Sequence, residues 1–177
     1  IIVKVMNDDY TTSEDLESVI IGFKLTSEPL SWVDIPVSIG SNSDEVGLAD
    51  KVVRIEKENW DNFSLNQVVL TGIDDPLIDG DQAFEFITGA PISLDLFYGI
   101  LNADDVADIN LINKDNDFPF LNISQPEILS EDKNSTSISI SLGNQPTGKV
   151  KIVFELTDVT EVSINKLGIE FDEFNWD

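Results

Sequence analysis

Short stretches of this chain alternate apolar and polar residues, and clusters of Gly, Pro, Asn and Asp separate them. Val33, Ile35, Val37 and Ile39 occupy every second position, the period of a strand with one buried face. Phe23 and Leu25 alternate around Lys24 in the same way. The pattern predicts strands over 1–5, 19–25, 33–39, 52–55, 67–71, 83–88 and 106–112, with Asp108 and Asn110 facing out of the last. Polar turns fall at 7–9, 27–29, 40–45 and 59–62, and a longer loop covers 89–105 with a single helical turn near Asp104-Asp105. Seven or eight short strands in the first 117 residues, without a convincing helix, predict an all-β chain folded as an antiparallel, Ig-like β-sandwich.

The polar stretch 113–119 closes this unit with Pro119 and reads as a domain boundary. The pattern then restarts. Thr12-Ser13-Glu14-Asp15 is echoed by Leu129-Ser130-Glu131-Asp132 at an offset of 117, and Arg54 to Asp61 by Glu170 to Asp177 at an offset of 116. Ile35 to Ile39 is echoed more loosely by Val150 to Phe154. The expected organisation is a full repeat over 1–117 and a partial second repeat over 118–177. The second has room for about four strands where such a sandwich uses seven or more. The remaining strands are expected from outside this stretch, and open edges of that kind suit strand donation between chains.

Charge narrows the partners. Lys plus Arg number 10 and Asp plus Glu 34, for a formal charge of −24, while mean hydropathy is −0.02. Phosphate-bearing partners would be repelled, which argues against nucleic acid and anionic membrane surfaces. No apolar run reaches the ~18 residues of a spanning helix, so direct membrane insertion is not expected. The chain has no Cys and no His, which excludes disulfides, thiol nucleophiles and Ser-His-Asp chemistry. A start at Ile1 without a signal peptide reads as a piece of something longer, and the composition suits an extracellular or cell-surface protein of bacterial type.

The densest chemistry is the stretch Ile73 to Asp81, which carries Asp74, Asp75, Asp79 and Asp81 and no Lys or Arg. Carboxylates this close repel unless a cation lies between them, and a hard, oxygen-ligated ion such as calcium fits best. Pro76 and Gly80 are the residues that shape such a loop. The stretch is not an EF-hand: with Gly80 at the sixth position, Leu77 and Phe86 fall where ligands belong. Any site must therefore be assembled from several loops.

These features resemble the Calx-β repeat, fully over 1–117 and partly over 118–177. Glu14 stands shortly before the first long strand, Asp44 in the loop before the short middle strand, and Asp74-Asp75 with Asp79 match the acidic pair and its following acid. Asp115-Asn116-Asp117 takes the place of the terminal acidic triplet. The chain departs from the pattern at Asp79, where Glu is usual, and at Asn116, where Asp is usual. The resemblance implies that Glu14, Asp44, Asp74, Asp75, Asp79, Asp115 and Asp117 converge at one end of the sandwich and bind Ca2+. It also implies a tandem repeat of a large bacterial surface adhesin or filament, with neighbouring repeats of the same polypeptide as partners.

An enzyme is not expected, because the acids cluster in loops and aromatics are only 8%. The functional expectation is a non-enzymatic, calcium-stiffened structural or adhesive repeat. The alternative is a carbohydrate- or ligand-binding module that uses Trp32 and the 89–105 loop on a surface glycan or protein. Trp60, repeated at Trp176, reads as a packing residue, and Tyr98 as a pin for the long loop. Asn-x-Ser/Thr sequons stand at Asn62, Asn122 and Asn134.

Overall fold

The computed structural model describes residues 1–132 and 135–177, so the Asn134 sequon lies outside the described residues. The chain divides into two compact units: residues 1–75 with 80–116, and residues 76–79 with 117–177.

The first unit holds strands β1 (Ile2–Val5), β2 (Thr11–Ser13), β3 (Ser18–Lys24), β4 (Val33–Ile39), β5 (Val46–Leu48), β6 (Val52–Ile55), β7 (Gln67–Gly72), β8 (Gln82–Thr88), β9 (Ile92–Ser93) and β10 (Ile109–Lys114). One sheet runs β1-β3-β7-β5 and the other β2-β10-β8-β4-β6, with β9 added beside β4. Alternation is what lets these segments form a sandwich. In β10, Ile109, Leu111 and Asn113 are buried while Asn110, Ile112 and Lys114 are exposed. In β4, Val33, Ile35 and Val37 all point inward. Phe23, Ile21 and Leu70 from the first sheet and Ile35, Phe84 and Phe86 from the second share one core and are at most 2% exposed. The rings of Phe23 and Phe86 meet at 6.2 Å, tilted by 60°.

Three features depart from the pattern read along the sequence. First, β2 pairs with β10 in parallel, so the sandwich is not purely antiparallel. Second, β2, β5 and β9 have at most three residues, too few to show a period of two. Third, the last strand of the unit is Ile109–Lys114 rather than 106–112, because Ala103–Asp105 turns as a 3-10 helix just before it. The long loop also holds a turn of α-helix, α1 (Leu96–Gly99). The acidic stretch joins β7 to β8, which lie in different sheets, so it crosses from one layer to the other instead of closing a hairpin.

The second unit holds β11 (Leu121–Ile123), β12 (Ile140–Leu142), β13 (Val150–Val153) and β14 (Gly168–Phe171). They form two antiparallel pairs, β11 with β12 and β13 with β14. Residues 76–79 belong to this unit, where the Gln145 amide donates to the Pro76 carbonyl at 2.9 Å.

Candidate metal centre

In the first unit, β2 and β10 run side by side, and the parallel pairing brings two distant acidic segments to the same end. Ser13 pairs with Lys114, and the Glu14 amide donates to the Lys114 carbonyl at 3.1 Å. Glu14 therefore follows β2 just where Asp115 follows β10. Each offers a carboxylate oxygen, and these lie within 4.8 Å of each other. Glu14 is only 3% exposed, and its Oε2 accepts from the Asn116 amide at 3.0 Å.

The acidic loop closes on the same place. The Gly80 amide donates to Asp115 Oδ2 at 2.7 Å, and the Asp115 amide donates to Asp81 Oδ1 at 3.3 Å. Gly80 has φ of +77°, a left-handed conformation that glycine adopts without a Cβ clash. Asp15 joins from the other side, accepting from Asn116 Nδ2 at 3.0 Å.

A buried polar network lies beneath. Thr12 Oγ1 donates to Asn113 Oδ1 at 2.8 Å, and Asn113 Nδ2 donates to Glu45 Oε2 at 3.3 Å. Glu45 is 9% exposed, whereas the predicted ligand Asp44 is exposed. Burying polar side chains is tolerated when they bond to one another. The backbone of β7 passes so close that a Cβ on Gly72 would sit 2.5 Å from Asn113 Oδ1.

The predicted ligands thus have different placements. Glu14 and Asp115 converge. Asp74 is exposed and Asp75 half-buried in the first unit, while Asp79 is exposed in the second. Asp117 directly follows Asn116 in the chain and is the first residue of 117–177; in that unit its Oδ1 accepts from Asn144 Nδ2. Asp15, Glu45 and Asp81 were not among the predicted ligands. Glu45 and Val46 are both buried, so the period-two phase of β5 would have pointed to Asp44, and no local signal marked Glu45.

The donor set fits a hard cation. All donors are oxygens, and two ligands on opposite sides of one calcium ion stand at most about 5 Å apart. Beside Glu14, the Ser13 hydroxyl is 6% exposed and has no hydrogen-bond partner among the described residues.

No family model matches this sequence, and no curated protein matches it. Among solved structures, the crystal structure of calcium binding domain CBD12 of CALX1.1 aligns with 81% of this chain and 71% of that chain, at 10% identity and a TM-score of 0.39. The crystal structure of CBD12 from CALX1.2 aligns over 99% of this chain and 73% of that chain, at 11% identity and a TM-score of 0.40. Likenesses at these scores carry no weight for the site, which stands on the residues above.

The features suggested for a ligand-binding loop have structural roles. The Arg54 guanidinium stacks over the Trp32 ring at 4.6 Å while bonding both oxygens of Asp34, at 2.7 and 2.6 Å. One face of Trp32 is thereby occupied. The Tyr98 hydroxyl donates to the Ser27 carbonyl at 2.8 Å and ties the long loop down. Asp95, 3% exposed, caps α1 through the Phe97 amide at 2.8 Å and also accepts from the Leu30 amide at 2.7 Å.

The Leu30 amide, with those of Phe97 and Tyr98, holds the Asp95 carboxyl below its ordinary value of 3.8 against the opposing effect of burial. A lowered folded value means stability that is present above the unfolded value and lost as pH falls through the folded one. Asp95→Asn should therefore shrink the drop in urea midpoint between pH 5 and pH 3. An unchanged drop in the variant would show that Asp95 is not its source.

Proposed function

We propose that the first unit is a non-enzymatic, calcium-binding sandwich repeat of an extracellular surface protein, and that calcium stiffens it at the end where β2 and β10 finish. The observation that carries this reading is the convergence of Glu14, a buried carboxylate, on Asp115 within 4.8 Å. At an effective dielectric of 20, two such charges repel by about 3–4 kcal/mol. A chain of net charge −24 adds to that repulsion. A divalent cation turns it into attraction.

Glu14 and Asp115 would be the central ligands. Asp81 holds the Asp115 backbone amide, and Asp15 holds the Asn116 side-chain amide. Because Glu14 and Asp115 are far apart in sequence, one ion would cross-link the beginning and the end of the unit. It would also hold the segment that leads into the next repeat, which suits a spacer built from tandem sandwiches. The adhesive and bacterial context belongs to this proposal and is supported by the acidic, cysteine-free composition and the internal repeat.

The test is a thermal melt in calcium, in chelator and in magnesium. Binding to the folded state alone should raise stability by about 2.7 kcal/mol at a hundredfold excess over Kd. Glu14→Gln should remove most of that rise while leaving the melt in chelator no lower than that of the parent, since the repulsion with Asp115 is relieved. A rise of equal size in the variant, or none in the parent, would sink the reading.

A further inference from the structure

The loop between β8 and β10 keeps polar groups in and apolar groups out. Leu30, Ile92, Leu94, Leu96, Phe97 and Ile100 are 57–79% exposed. Five of them fall within nine residues of a segment that β8 and β10 anchor on either side. Beneath them the loop is tied down repeatedly. Asp95 accepts from the Leu30 and Phe97 amides, the Tyr98 hydroxyl donates to the Ser27 carbonyl, and the Ser93 hydroxyl donates to the Trp32 carbonyl at 2.6 Å. A Cβ on Gly99 would stand 2.7 Å from the Ser93 carbonyl oxygen, so the turn is closely packed. Apolar side chains held outward on such a support mark an interaction surface rather than a solvated loop.

Charge is kept away from this surface. Residues 89–101 carry one charged side chain, Asp95, and it is buried. Beside Ile92, Asp34 pairs with Arg54 at 2.6 Å, and two residues before Leu30, Glu28 pairs with Lys57 at 3.4 Å. The clustered acids lie at the other end of the unit. Strand β4 carries β9 at Val33 and Asp34 and β8 at Val37 to Ile39. In turn β8 starts beside the end of β10, where Glu14 and Asp115 meet. From Val33 to Ile39 the strand makes six steps of about 3.3 Å, so the apolar and acidic ends stand at least ~20 Å apart.

We propose that this loop is the contact of a symmetric dimer, and that its partner is the same loop of a second copy of this chain. Area supports that occupant. Six side chains at roughly 100 Å² each offer about 600 Å² per copy. Two copies would bury about 1,200 Å², the lower end of specific interfaces. An apolar surface without fixed charges is complementary to itself, as a two-fold contact requires. Charge geometry agrees. Joining the apolar ends sets the two acidic ends about 40 Å or more apart, well beyond the ~8 Å screening length at physiological salt. The loop offers no Lys or Arg, so an anionic partner would find nothing to bind. Because the loop is already held in place, little further ordering is lost on contact.

The test is sedimentation velocity of the 177-residue chain over a wide concentration range, in chelator so that the metal site plays no part. Expected is a reversible rise in mass from 19.6 kDa toward twice that value, half complete on the order of tens of micromolar. Added salt should leave the dimer intact or strengthen it, because the contact is apolar. Phe97→Asp should raise the dissociation constant about thirtyfold or more. The pair Leu96→Ser and Ile100→Ser should act in the same direction. Both variants should melt like the parent at low concentration, since these side chains are exposed. Leu16→Ser, at an exposed apolar position next to the acidic end, should leave the dimer unchanged. A chain that stays monomeric throughout would overturn the proposal, as would a dimer that survives Phe97→Asp or one that salt dissociates. So would a monomer that sediments with neutral phosphatidylcholine vesicles through Phe97, since the loop would then be a lipid contact.

Discussion

Replacing Phe86 with alanine is expected to destabilise the first unit by about 3–5 kcal/mol, the usual cost of removing a fully buried phenylalanine. Phe86 lies in the middle of β8, is 0% exposed, and its ring meets Phe23 from the opposite sheet. It thus bridges both layers. Part of the loss is transfer of the ring to water, and part is the cavity left behind. The urea midpoint measures it, with near-ultraviolet circular dichroism as a second probe of packing. A loss below ~1 kcal/mol would show that the two sheets do not share a close-packed core at this position.

A smaller change, Gly72→Ala, is expected to damage stability and metal response together. The added Cβ would lie 2.1 Å from the Ser13 carbonyl oxygen and 2.5 Å from Asn113 Oδ1. The nearest of these is backbone, so β2 itself must move. Overpacking of this kind costs about 1–3 kcal/mol. Glu14 is the next residue after β2, so the shift is passed directly to the carboxylate proposed as a ligand. The calcium-dependent rise in melting temperature should therefore fall in this variant, although no ligand has been replaced. Glu14→Gln, by contrast, should lose the rise without losing stability in chelator. A Gly72→Ala protein with parental stability and a full calcium response would contradict both the crowding at β7 and its link to the site.

Much of the architecture was legible because strand burial is a local, periodic property. The strand at Val33–Ile39 has the limits its alternation predicts, and Val52–Ile55 likewise. The echo between Arg54 to Asp61 and Glu170 to Asp177 reappears in the pairing of β6 and β14. The looser echo between Ile35 to Ile39 and Val150 to Phe154 is off by two residues, since Val150 corresponds to Val33. A shift of two keeps the same residues on the same face, so alternation alone cannot detect it.

The site was less legible. Sequence spacing marks which segments are acidic but not which carboxylates turn inward. Asp44 and Glu45 are adjacent and chemically alike, yet the strand that begins at Val46 exposes the first and buries the second. Asp81 was passed over within the acidic stretch, although its Oδ1 accepts from the Asp115 amide.

By itself, then, the sequence determined the all-β class, the strand-forming segments, the acidic character and the repeat, because each depends on residues close together in the chain or on composition. Only the tertiary structure decided that β2 runs parallel to β10 and that Glu14 lies beside Asp115. Those facts depend on pairing between segments about a hundred residues apart. Such pairing is set by how whole sheets close over a common core, and no local pattern encodes it.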